Sequence, residues 1–202
     1  MVGLRERKKE QTRRRIAAVA LALFAERGYD AVTVNEVAAA AEVAKATLFS
    51  YFPSKEALVL HGIGEDDLAG IVTRRPPGTT PLAALRAHFR TFAAGQDPGP
   101  FDAPALIGQV RIVFDSPALS AAAHTLLHRE REALTGALTP DAPGLLAALM
   151  AAQITAAVTT LKEAFFRRLL AGESPAAAAA ALAADVETAF DLLEHGFSGA
   201  GR

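Results

Sequence analysis

The sequence predicts an all-α protein, and three observations carry that reading. Forty-six of the 202 residues are alanine, the strongest helix former, while β-branched and aromatic strand formers are sparse. Proline and glycine punctuate the chain at intervals that suit helices rather than hairpins. Within those intervals, apolar side chains recur at helical spacing.

The first helix is expected from about Arg5 to Arg27, stopped by Gly28. Thr33 caps a short helix to Ala41, and Glu36 three residues on completes a capping box. Glu42-Val43 breaks it, and Ala44 to Tyr51 forms another short helix before Pro53. Ser54 caps a helix expected to run to about Arg74, with Glu56 suiting its positive end. Later helices are expected at about 81–94, 104–114, 117–138, 145–171 and 175–195, separated by proline- and glycine-rich breaks. The expectation is therefore about nine helices. An N-terminal three-helix domain covers residues 1–55, and a larger Ala/Leu-rich helical domain covers 56–202.

Composition excludes several classes. The chain is 51% hydrophobic, which is too apolar for disorder. With no cysteine there is neither a disulfide framework nor a thiolate zinc site. Net charge is only −1, but it is unevenly placed. Residues 1–15 carry seven basic side chains against Glu6 and Glu10, a balance of +5, leaving −6 on the rest. A basic arm on an acidic body suggests a polyanion at one end.

That arm precedes ten apolar residues, Ile16 to Ala25, in the outward form of a secretion signal. However, Glu26-Arg27-Gly28 stands where a small-residue cleavage site is wanted. The larger residues Ile16, Val19, Leu23 and Phe24 also share one helical face. No stretch reaches the roughly 18–20 apolar residues needed to span a bilayer without a charge. A cytoplasmic protein with no membrane partner is the expectation.

Residues 33–55 carry the functional pattern. Two short helices joined by a tight turn make a helix-turn-helix, whose second helix has the length that enters a major groove. Val34, Val37, Ala38 and Ala41 line the inner face of the first helix; Val43, Leu48 and Phe52 supply that of the second. Phe49 is grouped with Phe52 as core. The outward residues are then Lys45, Ala46, Thr47, Ser50 and Tyr51. Lysine and hydroxyls reach phosphates and base edges, whereas Ala46 offers only a methyl.

From Arg13 to Lys55 the wording Leu23-Phe-Ala-Glu-Arg-Gly-Tyr29, Thr33-Val-Asn-Glu-Val-Ala38 and Ala44-Lys-Ala-Thr-Leu-Phe-Ser-Tyr-Phe-Pro-Ser-Lys55 resembles the DNA-binding domain of TetR-type (tetracycline-repressor-like) transcriptional regulators. The resemblance implies a dimeric, ligand-responsive repressor bound to a palindromic double-stranded operator. It implies phosphate contacts at Thr33, Tyr51 and Lys55, with Lys45, Thr47 and Ser50 on the recognition helix. Arg13 and Arg14, beside the motif, are expected near the DNA backbone. Two departures stand out: Glu42 where the turn usually has glycine, and Ala44 where a capping hydroxyl is usual.

A short reading head needs two copies for specificity. Leu182, Val186, Phe190, Leu193 and Phe197 form an apolar stripe near the C-terminus and are the expected dimer interface. An effector pocket is expected among Phe89, Phe92, Gln109, Ile112, His124, Met150, Gln153, Ile154 and Val158: apolar walls with a few polar groups. Phe101 is a further candidate wall. His124 and His128 lie one turn apart without supporting Glu or Cys, so no metal site is expected, and no cofactor. Catalytic motifs are absent: no G-x-S-x-G, no phosphate-cradling glycine loop, no H-E-x-x-H. The competing reading is an all-helical carrier of apolar small molecules that binds no DNA.

Overall fold

A computed structural model describes residues 4–61, 67–95 and 103–196, with side chains omitted at 4–6 and 103–104. Among the described residues there are ten helices and no strand: α1 (Leu4–Arg27), α2 (Val34–Ala40), α3 (Lys45–Tyr51), α4 (Lys55–Leu60), α5 (Leu68–Thr73), α6 (Pro81–Ala93), α7 (Ala103–Asp115), α8 (Pro117–Leu138), α9 (Leu145–Leu170) and α10 (Pro175–His195). The extra helix arises because the segment expected to run unbroken from Ser54 to Arg74 is two helices. His61 turns extended and ends α4. Asp67 then starts α5 from left-handed backbone, its carboxylate accepting from the Gly70 N–H.

The chain forms two compact units, residues 1–65 with 104–124, and 66–103 with 125–202. This division differs from a boundary at residue 55. The reason is a shared core. Leu58 and Val59 of α4 and Leu119 of α8 are fully buried with Ile16, Ala20, Phe24, Val37, Leu48 and Phe52. Ile112 and Val113 of α7 pack against the same cluster. Each fully buried large apolar side chain stabilises the unit by roughly 1.5–3 kcal/mol before entropy is counted. Gln109 of α7 serves this unit too. Its buried amide donates to the carbonyls of Val59 and His61, closing the C-terminal end of α4. Those carbonyls have no further helical turn to bond to.

The second unit rests on α10, which packs on α6 and α9. Leu182, Val186 and Phe190 of α10 are buried at 3%, 0% and 1% exposure. Phe190 meets Phe89 of α6 with ring centroids 6.1 Å apart. Arg86 reaches Glu187, Asp191 and Glu194, while Arg90 adds two bonds of 2.6 Å to Glu187, so a charged seam fastens α6 to α10. Arg75 bonds both carboxylate oxygens of Asp141 and the carbonyls of Val72 and Thr79, tying the end of α5 to the loop before α9.

Helix α9 has 26 residues and a mean hydropathy of 1.5 over its most apolar window, so by length and composition it is apolar enough to cross a membrane. Its uncharged part nevertheless ends at Lys162, short of the roughly 18–20 residues expected of a spanning segment. Only 33% of that window is buried, so the helix is more apolar than its own unit requires. Leu145, Leu146 and Leu149 at its start are half or more exposed.

Candidate nucleic-acid interface

The interface is built from α1, α2 and α3. Thr33 caps α2 in extended backbone, and its hydroxyl accepts from the Glu36 N–H. The Glu36 carboxylate answers with 2.8 Å bonds from the Thr33 N–H and hydroxyl, and Arg27 at the end of α1 donates to its other oxygen at 2.7 Å. The capping box thus also ties α1 to α2. These bonds, the Thr33 backbone first, hold the Glu36 carboxyl down at about 2. A carboxyl lowered on folding stabilises the fold fully above its ordinary value, and that stabilisation is lost as pH falls through the lowered value. Unfolding followed by far-UV circular dichroism should therefore show a stability loss between about pH 4.5 and about pH 2, smaller in Glu36→Gln.

The turn after α2 is a Schellman closure. The Glu42 N–H bonds the Ala39 carbonyl and the Val43 N–H bonds the Ala38 carbonyl. Its left-handed position, φ 53°, is Glu42. Glycine would adopt that backbone without strain, whereas a side chain costs roughly 1 kcal/mol or more there. Ala44 caps α3 with no side-chain bond, as its methyl dictates.

On α3, Leu48 and then Phe52 at its end are fully buried, and this pair sets the roll of the helix. Lys45, Ala46, Thr47 and Ser50 face outward and are exposed. Tyr51 is only half-buried and packs partly on the core cluster. Phe49 departs from expectation. Its residue type predicts a core position, yet it is 41% exposed, with the Lys45 ammonium 6.0 Å from its ring centre. The signal was present in the spacing. Position 49 lies one turn from 45 and 46, on the outer face. Its apolar identity argued the other way.

The flanking cations are less uniform. Arg14 is exposed and paired with Glu10 at 2.9 Å, a surface pair worth only about 0.3–0.5 kcal/mol and readily exchanged for phosphate. Arg13 is half-buried, its guanidinium 5.5 Å from the Phe52 ring centre. Lys55, expected at a phosphate, instead donates to the Tyr29 carbonyl and lies 4.1 Å from the Tyr29 ring centre. Any phosphate there would share an ammonium already engaged. Thr33 likewise gives its one hydroxyl proton to Glu36.

The remaining candidates are redistributed. Gln109, Ile112 and His124 belong to the unit that holds the helix-turn-helix, while Phe89, Phe92, Met150, Gln153, Ile154 and Val158 belong to the other. Gln109 closes α4, Ile112 packs on the core cluster, and His124 is exposed with its ring bonded to the Ser120 carbonyl. They do not assemble one cavity within a unit. Gln153, alone of the nine, lines an open groove of about 670 Å³ along α9 and α10. Leu182, Val186 and Phe190 are core of their own unit, so a partner cannot touch them as the interface expectation required; Leu193 lines the groove. Phe197 and Phe101 lie outside the described residues. Asp191, Glu194 and His195 lie close together and exposed, but the two carboxylates already bond Arg86.

The fold and this surface define an all-helical protein with an N-terminal helix-turn-helix of DNA-binding type. Residues 16–61 match the family model for bacterial regulatory proteins of the tetR family. The chain is 36% identical over 124 residues to the HTH-type transcriptional regulator TcmR of Streptomyces glaucescens, covering 59% of this chain and 55% of that one. It is 36% identical over 95 residues to the HTH-type transcriptional repressor KstR of Rhodococcus jostii, covering 44% and 43%. The matches thus span about half the length of these curated relatives. In fold, NalD, the secondary repressor of the MexAB-OprM multidrug efflux pump in Pseudomonas aeruginosa, superposes with a TM-score of 0.58 at 15% identity, covering 93% of this chain and 97% of that one. The N-terminal residues 16–61 are thus a domain of the kind found in tetR-family regulators.

Proposed function

We propose that the protein is a ligand-responsive transcriptional repressor that binds a palindromic double-stranded operator as a homodimer. The observation that carries this reading is α3. It is a short helix anchored by Leu48 and Phe52, presenting Lys45, Ala46, Thr47 and Ser50 to solvent behind a strongly basic first helix. Such a helix fits a major groove, and lysine and hydroxyls supply donors for phosphates and base edges.

Two copies are needed for specificity, and the unpartnered surface of α9 and α10 supports where they meet. The groove between these helices is lined by Ala156, Ala157, Ala164 and Ala189, small residues that permit close helix approach, with Leu192 and Leu193 beside them. Continuing along α9, exposed Leu145, Leu146 and Leu149 extend the apolar surface. A second copy covering this stripe accounts for the apolar excess of α9. Lys162, Glu163, Arg167 and Arg168 within α9 favour that over a bilayer. The effector is an apolar small molecule that stabilises a dimer whose two α3 helices no longer match half-sites about 34 Å apart.

The test is recovery of bound fragments from a random-sequence DNA pool, followed by gel-shift titration. Affinity should fall about a thousandfold from roughly 50 to roughly 200 mM salt, and removing residues 1–12 should flatten that slope. If the full chain recovers no fragment, the DNA-binding reading fails and the carrier reading is preferred.

A further inference from the structure

Helix α3 reads Lys45-Ala-Thr-Leu-Phe-Ser-Tyr51 and contains no Arg, Asn, Gln, Asp or Glu. Of the bidentate pairs that most often identify bases, arginine on guanine and Asn or Gln on adenine are therefore unavailable from this helix, and only lysine on guanine, from Lys45, remains. What its outer face does offer is apolar. Ala46 presents a methyl, Thr47 carries another beside its hydroxyl, and Phe49 presents a ring 41% exposed, one turn from Ala46. Lys45, with its ammonium 6.0 Å from the centre of that ring, is the one cation on the helix.

In a major groove, the apolar group that distinguishes one base from the others is the C5-methyl of thymine, and alanine, threonine and phenylalanine are the side chains that contact it. We infer that the operator half-site is specified chiefly by thymine methyl groups read by Phe49 and Ala46, with Lys45 supplying a single donor to a guanine edge or a phosphate. Phe49 is thus a specificity-determining residue and not core filling. A phenyl ring carries no hydroxyl to give a phosphate, so its exposed edge serves DNA only through apolar contact. This inference rests on the proposed DNA-binding function.

The experiment uses the full-length protein and a fragment recovered from random-sequence DNA, resynthesised with deoxyuridine replacing thymidine, first throughout and then one position at a time. Uracil pairs as thymine does and lacks only the methyl. Burying one methyl group is worth about fourfold in affinity, so a contact repeated in both half-sites should cost about fifteenfold. The expected result is a loss of that size at one or two symmetry-related positions per half-site. In Phe49→Ala the thymidine and deoxyuridine forms of the Phe49-contacted position should bind equally, whereas Phe49→Tyr should keep the preference. Equal binding of both DNA forms by the unaltered protein would overturn the inference and leave the proposed function standing. Deoxyuridine sensitivity unchanged in Phe49→Ala would overturn the assignment to Phe49. No binding to any recovered DNA would overturn the proposed function and the inference with it.

Discussion

Replacing Lys45 and Thr47 together by alanine is expected to weaken binding to the selected operator by at least about a hundredfold, while helical content and thermal unfolding stay unchanged. Both side chains are exposed on α3, and neither contributes to the core that holds it. Exposed substitutions away from special features shift stability by about 0.5 kcal/mol or less, and alanine favours helix. Binding loses a cation and a hydroxyl in each protomer. Specific major-groove contacts are worth about 1–3 kcal/mol each, and symmetry doubles every loss. A hundredfold loss is about 2.7 kcal/mol, or about 1.4 kcal/mol per protomer, which a single such contact supplies. Gel-shift titration beside circular dichroism decides it. Unaltered affinity would mean that neither Lys45 nor Thr47 contacts the DNA.

The second large effect concerns assembly. Ala157→Glu combined with Ala189→Glu places two carboxylates in the α9–α10 groove of each protomer. A buried, unpaired charge at a subunit contact is costly enough to dissociate it. Sedimentation should show a dimer for the unaltered chain and a monomer for this variant, with specific DNA binding lost as well. Leu182→Ala is the contrast. That side chain is 3% exposed inside its own unit, so its removal should destabilise folding by about 2–5 kcal/mol without dissociating native dimers. A charged double variant that remained dimeric would place the interface elsewhere.

The helix-turn-helix was legible because its determinants are local. The Thr33–Glu36 box, the Schellman closure at Glu42 and the Leu48–Phe52 anchor each lie within six residues of sequence. Phe49, Tyr51 and Lys55 were less legible there: at Phe49 the apolar residue type argues for core while the helical phase places it outside, and Tyr51 and Lys55 pack on partners that the local pattern does not name. Longer-range features were less readable. Leu182, Val186 and Phe190 form a stripe of large apolar residues, and pattern alone cannot say whether such a stripe meets its own α6 and α9 or another chain. The exposed face of the same helices is made of alanines, which carry little periodic contrast in so alanine-rich a chain. The unit boundary was hidden because Gln109, Ile112 and Leu119 join the N-terminal core from about fifty residues or more beyond it. The break after α4 did have a signal in the sequence, since Gly62 and Gly64, both helix breakers, stand just past His61.

The proposed function requires two α3 helices to enter one duplex. The chain has no cysteine, so Ser50→Cys provides one thiol on the exposed face of α3 for a DNA-cleaving iron chelate. On the selected operator, the expected result is two clusters of cuts related by a dyad, centred about 34 Å or a small multiple of it apart. Diffuse cutting, or a pattern no more focused than that from the same label at Glu173→Cys, would contradict it.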